Sequence, residues 1–149
     1  MGNRESYLNM AIKKIKIHVG MVLIQSSVYE STAWGKEDQA DFLNLALSVQ
    51  TSLSPQELLH KVKGIEEDIG RFKTVHWGPR EVDIDIIFYE DDCVDEPGLI
   101  IPHSELPNRN FVLIPLMEIA SDKVDPSSGM TIEELYMASE DVGEVWFYN

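Results

Sequence analysis

One cysteine is all the chain has, Cys93, so no internal disulfide can form and no metal-binding cysteine pair exists. That usage suits a reducing compartment. Long apolar runs are missing too. Nothing approaches the roughly 18 apolar residues that a membrane span needs, and the polar opening from Met1 to Ser6 has none of the features of a secretory leader. Basic residues are scarce: 12 Lys and Arg face 26 Asp and Glu, a formal net charge of −14. Such a surface repels nucleic acid and anionic membranes. Repeats, low-complexity tracts and linkers are absent as well. With 149 residues and 44% hydrophobic content, a soluble cytoplasmic protein of one domain, residues 1–149, is expected, and a monomer.

What is present falls into periodic segments. Leu8, Ala11, Ile12 and Ile15 recur at helical spacing, with Asn3 in the N-cap position. Residues 21–30 read as a buried strand and 31–40 as a loop. Leu43, Leu45, Leu47 and Val49 alternate with Phe42, Asn44, Ala46 and Ser48, predicting one strand whose leucine face enters the core. Phe42 and Asn44 then share the opposite face. Ser54-Pro-Gln-Glu57 is a capping box that opens an amphipathic helix through Leu58, Leu59, Val62, Ile65 and Ile69, with Gly70 as its C-terminal cap. Glu81 to Tyr89 reads as a strand with Val82, Ile84, Ile86 and Phe88 on one face and Asp83 and Asp85 on the other. After a turn over residues 91–98, Phe111 to Ala120 reads as a helix with Pro115 in its first turn, and Thr131-Ile-Glu-Glu134 opens another. The tail 145–149 is open between a strand, a helix end and disorder. The order helix, strand, strand, helix, strand, helix is that of an α+β sandwich.

The chemistry concentrates around Asp83 and Asp85. Aspartates at i and i+2 of a strand project the same way, about 6–7 Å apart, and repel unless something positive lies between them. Magnesium suits that place, because it prefers carboxylate oxygens and shares its shell with substrate phosphates. The few cations gather just upstream: Arg71, Lys73, His76 and Arg80 lie within ten residues. Arginine grips phosphate with paired hydrogen bonds and lysine offers a point charge, so the two sets together could hold a metal–triphosphate complex. The plainer alternatives are a solvated strand face and mutually neutralising surface charges. Phe42 beside Asn44 could stack and hydrogen-bond a flat heterocycle, or simply pack under a helix.

Trp77-Gly-Pro-Arg-Glu-Val-Asp-Ile-Asp-Ile-Ile-Phe88 closely resembles the signature of the 6-hydroxymethyl-7,8-dihydropterin pyrophosphokinases of folate biosynthesis. Val28-Tyr-Glu30, Asp41-Phe-Leu-Asn44, Ile65-Glu-x-x-x-Gly-Arg71, Ile101-Pro-His103 and Asn108-Arg-x-Phe111 extend the match in order as far as about Asp122. The resemblance implies a ferredoxin-like α+β sandwich with an antiparallel sheet. It also implies transfer of pyrophosphate from ATP to the pterin hydroxymethyl group, with release of AMP. By that resemblance Asp83 and Asp85 hold a pair of magnesium ions, and Arg71, Arg80, Asp83 and Asp85 are the catalytic set. Arg71, Lys73, His76, Trp77, Arg80, His103 and Arg109 contact ATP; Ser31, Trp34, Phe42, Asn44, Asp83 and Phe111 contact the pterin. Glu66 matches a motif position without an assigned role, and Gly70 and Gly78 flank the basic loop as hinge candidates. On the residues alone, His103 after a proline is a turn residue. The family pattern begins with a strand before the first helix, ending in a Gly-Ser-Asn-like turn. Met1-Gly-Asn-Arg-Glu5 starts inside that turn, so the strand is expected to be missing, with a start assigned too late preferred over a true truncation. A catalytically silent nucleotide- or pterin-binding remnant and a magnesium-dependent nuclease or nucleotidyl transferase are the competing functions. The second leaves Phe42, Asn44 and Phe111 without a task.

Overall fold

In a computed structural model that describes residues 4–31, 42–70 and 82–148, the chain divides into two compact units. One comprises Met1–Leu23 with Val49–Asp85, the other Ile24–Ser48 with Ile86–Asn149. Helices and antiparallel sheets alternate along the chain, as an α+β fold requires. No helix among the described residues is long and apolar enough to cross a membrane.

The first unit is built on α1 (Arg4–His18) and α2 (Pro55–Gly70), which pack on each other. Their apolar positions recur every three or four residues, and those are the buried ones: Ala11, Ile12 and Ile15 on α1, Val62, Ile65 and Ile69 on α2. The Ser54 capping box forms as expected. The Ser54 amide donates to Glu57 Oε1 at 2.9 Å and the Glu57 amide to Ser54 Oγ at 3.2 Å. The Ser54 amide first, then the Ser54 hydroxyl, hold the exposed Glu57 carboxyl below its ordinary range. The chain leaves α1 through Gly20, where any Cβ would collide with the Gln50 carbonyl oxygen, so only glycine fits. Asn3 lies outside the described residues. Gly70 is the last residue of α2 rather than a left-handed cap; positive φ among the described glycines belongs to Gly98 and Gly129.

The strands are shorter than the sequence pattern predicts. The stretch 21–30 is not one buried strand: β1 (Met21–Gln25) is mostly exposed, and β2 (Tyr29–Ser31) follows after a break. Residues 42–50 split likewise into β3 (Phe42–Asn44) and β4 (Leu47–Gln50), which join different sheets. β4 pairs with β1, and Leu43, Leu45, Leu47 and Val49 are only half-buried. Among the described residues none forms a ladder with 82–88, although Val82, Ile84 and Ile86 are half-buried and Asp83 and Asp85 exposed, in strict alternation. Their backbone groups are met by other partners: Ile84 N–H by a Glu66 carboxylate oxygen, the Ile87 carbonyl by the His103 amide at 3.0 Å. An extended chain with a period of two needs a neighbouring strand to become a sheet, and the period alone cannot supply one.

In the second unit, β2 lies between β3 and β7 (Val145–Phe147), antiparallel to both, with Ser31 opposite Phe42 and Val145. The tail is therefore a strand. β5 (Val94–Glu96), which falls inside the expected turn region, and β6 (Leu99–Ile101), which follows it, make a hairpin. Pro97-Gly98 at its tip, with Gly98 at φ +79°, matches the demands of a type II turn. α3 (Asn110–Ala120) packs on β2, β3 and β7, and α4 (Ile132–Ala138) packs on α3. Leu106, Leu113, Leu116, Ile132 and Leu135 form the core between them, with Ile87 and Phe88 against it. Pro115 is the sixth residue of α3, past the first turn, and so denies the Phe111 carbonyl its usual donor.

Candidate functional site

Asp83 and Asp85 sit on the extended run that follows α2 and the basic stretch in the sequence. Both are exposed, with the half-buried Ile84 between them. The Ile84 amide donates to Glu66 Oε2 at 2.6 Å, and the Glu66 side chain is only 7% exposed, with Lys63 Nζ 3.8 Å from its other oxygen. A charged acceptor makes that bond strong, so α2 holds the backbone from which the two aspartates project. The place of Glu66 in a motif is legible in the sequence, but its bond to the Ile84 backbone is not. Exposed carboxylates carry the hard oxygen donors that magnesium takes. No group of three or more His, Cys, Asp or Glu among the described residues is arranged to hold a metal ion alone. Arg71, Lys73, His76, Trp77, Gly78 and Arg80, like Trp34, lie outside the described residues.

The second unit carries the aromatic half of the expected site. β3 places Phe42 and Asn44 two residues apart and hence on one face, as the alternation predicts. Phe42 is 42% exposed, which is high for a phenylalanine and suits a ring that awaits a partner. Asn44 Nδ2 donates to Oγ of the buried Ser31 at 2.8 Å, across the β2–β3 pair. That bond occupies a donor of the amide and ties the two side chains together. Phe111 is the second residue of α3, which packs on β3, and the Arg109 guanidinium lies 5.7 Å from the Phe111 ring centroid. A cation over an aromatic face is favourable and stiffens both side chains.

His103 follows the cis Ile101–Pro102 bond. Its Nδ1 accepts the Glu105 amide at 3.1 Å, so in the neutral ring the proton resides on Nε2. From there a short 3-10 turn, Leu106–Asn108, leads to Arg109, with Leu106 buried in the core. His103, Arg109 and Phe111 therefore come from one anchored stretch.

Two further groups are tied by long-range hydrogen bonds. Tyr29 Oη donates to Glu118 Oε1 at 2.7 Å, and Glu118 also accepts from the Ser27 amide and hydroxyl. Burial first, then the Glu118 carboxylate, pushes the Tyr29 phenol up to about 12, while the Tyr29 hydrogen bond holds Glu118 below its ordinary range. Asp141 is the other: its Oδ2 accepts the Asn110 amide at 2.8 Å. The two links join residues 89 and 31 positions apart, which no local pattern announces.

Comparison with known proteins adds a family. The family described as 7,8-dihydro-6-hydroxymethylpterin-pyrophosphokinase (HPPK) matches residues 1–121. The chain is 45% identical over 126 residues to the 2-amino-4-hydroxy-6-hydroxymethyldihydropteridine pyrophosphokinase of Aquifex aeolicus, covering 85% of this chain and 78% of that protein. The protein of the same name from Bacillus subtilis is 42% identical over 120 residues, covering 80% of this chain and 72% of its own. A third, from Synechocystis, is 42% identical over 140 residues, covering 93% and 71%.

Proposed function

The chain belongs to the 7,8-dihydro-6-hydroxymethylpterin-pyrophosphokinase family, and from that premise we propose how its own residues divide the work of the reaction. The activity is ATP-dependent transfer of pyrophosphate to the hydroxymethyl group of 6-hydroxymethyl-7,8-dihydropterin, a step of folate biosynthesis. The pterin hydroxyl oxygen attacks the β-phosphorus. The bond from that phosphorus to the oxygen shared with the α-phosphate breaks, and AMP leaves. Such transfers depend on alignment and on neutralising charge far more than on covalent help from the protein.

Asp83 and Asp85 would hold the magnesium, a pair of ions in this reading. The carrying observation is that both carboxylates are exposed while the Ile84 amide between them is tied to the nearly buried Glu66. Bound magnesium supplies positive charge to the phosphate oxygens. Arg71, Lys73, His76, Trp77 and Arg80 contact the nucleotide, with Arg71 and Arg80 meeting the charge that develops on the departing oxygen. His103 donates from Nε2 and Arg109 from its guanidinium to phosphate oxygens. Phe42 and Phe111 stack on the two faces of the pterin, while Ser31, Trp34 and Asn44 serve its edge and Asp83 faces its hydroxymethyl group. The protein works as a monomer in the cytoplasm.

Asp83→Ala and Asp85→Ala, purified and shown to be folded, are expected to lose at least about a thousandfold in AMP formation from ATP and the pterin. Turnover near that of the unaltered protein in either variant would overturn the assignment.

A further inference from the structure

Residues 122–149 lie outside the stretch that the family match covers, yet they reach back to the segment carrying Arg109 and Phe111. Besides the packing of α4 and β7 on α3, one residue of that stretch hydrogen-bonds the segment directly. Asp141 Oδ2 accepts the Asn110 backbone amide at 2.8 Å, and the Asp141 carbonyl accepts Asn110 Nδ2 at 3.2 Å. The other carboxylate oxygen, Oδ1, takes the Gly143 amide at 2.8 Å, and the Asp141 amide itself donates to Ser139 Oγ at 3.2 Å. Both oxygens of the carboxylate are thus engaged, one to hold Asp141 and one to hold its target.

That target is the first residue of α3, where a helix has amides without partners. The residue before it, Arg109, stands at the N-cap and makes no side-chain cap. An arginine there cannot accept a hydrogen bond, so the sequence puts a cation where an oxygen is needed. A carboxylate 31 residues away provides the missing acceptor, and its negative charge suits the positive end of the helix. Asn110 Oδ1 is buried with no partner, so the side chain is held only through its amide nitrogen.

We propose that Asp141 is a positioning residue for the Arg109–Phe111 pair, so that a tail residue beyond the matched family stretch sets how this site grips pterin and nucleotide. The chain turns at Asn110 between those two side chains, which already touch through the guanidinium–ring contact. Fixing the amide between them fixes the directions in which they leave the backbone. The proposal rests on the reading of Arg109 and Phe111 as substrate contacts.

The test is calorimetric titration of the full chain with the pterin, and with ATP and magnesium, for Asp141→Asn, Asn110→Ala, Phe111→Ala, Arg109→Ala and the double variant Asp141→Asn/Phe111→Ala. Asp141→Asn is expected to weaken pterin binding on the order of tenfold, the worth of a hydrogen bond to a charged group. In the double variant the two losses are expected to be far less than multiplicative, because Asp141 acts through Phe111. A purely structural role would instead give independent losses, and that result overturns the proposal. Asn110→Ala removes the second link and leaves the carboxylate alone. It is expected to weaken pterin binding less, and it decides the matter if Asp141→Asn does not stay folded: unchanged affinity then overturns the proposal. If Phe111→Ala and Arg109→Ala bind both substrates normally, the substrate reading fails and the proposal with it. If those two weaken binding while Asp141→Asn does not, only the proposal fails.

Discussion

A phenol under a β-strand has little to gain from ionising, and Tyr29 has even less with a carboxylate at its hydroxyl. Tyr29 is buried, stacks on Phe147 with ring centroids 4.9 Å apart, and donates to Glu118. Its pKa, pushed up to about 12, lies above the ordinary value of 10.0. The folded state therefore holds the proton more tightly than the unfolded one. This contribution to stability is complete below pH 10 and is lost as pH climbs through 12. Glu118 moves the other way: lowered in the folded state, it contributes above the ordinary carboxylate pKa and loses that contribution as pH falls through its own. Glu118→Gln keeps an acceptor but removes the charge. The last of the five tyrosines to ionise, followed by ultraviolet absorbance, is expected to titrate at lower pH in that variant. Burial alone still holds it above 10. An unmoved last transition would show that Glu118 does not govern Tyr29.

Between elements, what the sequence makes legible is what is local. Both capping boxes form where Ser54-x-x-Glu57 and Thr131-x-x-Glu134 place them, because a box closes within four residues. The helix faces are equally legible, Ile65 and Ile69 included. Strand boundaries are not. Phe42 to Gln50 alternates without a break, yet β3 serves β2 while β4 serves β1, and that choice depends on residues far along the chain. The same alternation puts Asp83 and Asp85 on the correct, exposed side, while their support by Glu66 is invisible in it. The helix start at α4 permits a direct check. Thr131 Oγ1 accepts the Glu134 amide at 3.1 Å, and the Thr131 amide donates to Glu134 at 2.9 Å. Thr131→Ala is expected to cost about 1 kcal/mol, since Ile132 and Leu135 must stay buried on an uncapped helix. In urea that lowers the unfolding midpoint by several tenths of a molar at an unchanged slope. A slope that also changed would point to an altered denatured or native ensemble instead.

Across the whole chain, charge of one sign dominates, a property that composition alone sets. A net −14 makes the compact state repel itself, more so at low salt. Among the described residues, Lys123 Nζ to Asp91 Oδ1 at 2.6 Å and Lys14 Nζ to Asp68 at 3.9 Å are pairs of the surface kind, the acid exposed in each, while Lys63 pairs with the nearly buried Glu66. Exposed pairs contribute roughly 0–1 kcal/mol apiece. Screening therefore has two effects of unequal size: it weakens a few short attractions and relieves many longer repulsions. The Debye length falls from about 30 Å at 0.01 M salt to about 10 Å at 0.1 M, so the long-range repulsions go first. Sodium chloride added over that range is expected to raise the urea midpoint of unfolding, and most of the gain is expected below 0.1 M, which is about where the screening length drops under the spacing of neighbouring elements. Thermal or urea unfolding at a series of salt concentrations measures it. A midpoint that fell with salt would mean that local pairs outweigh the net charge, and the basic stretch around Arg71 and Arg80 would then be the first place to look for them.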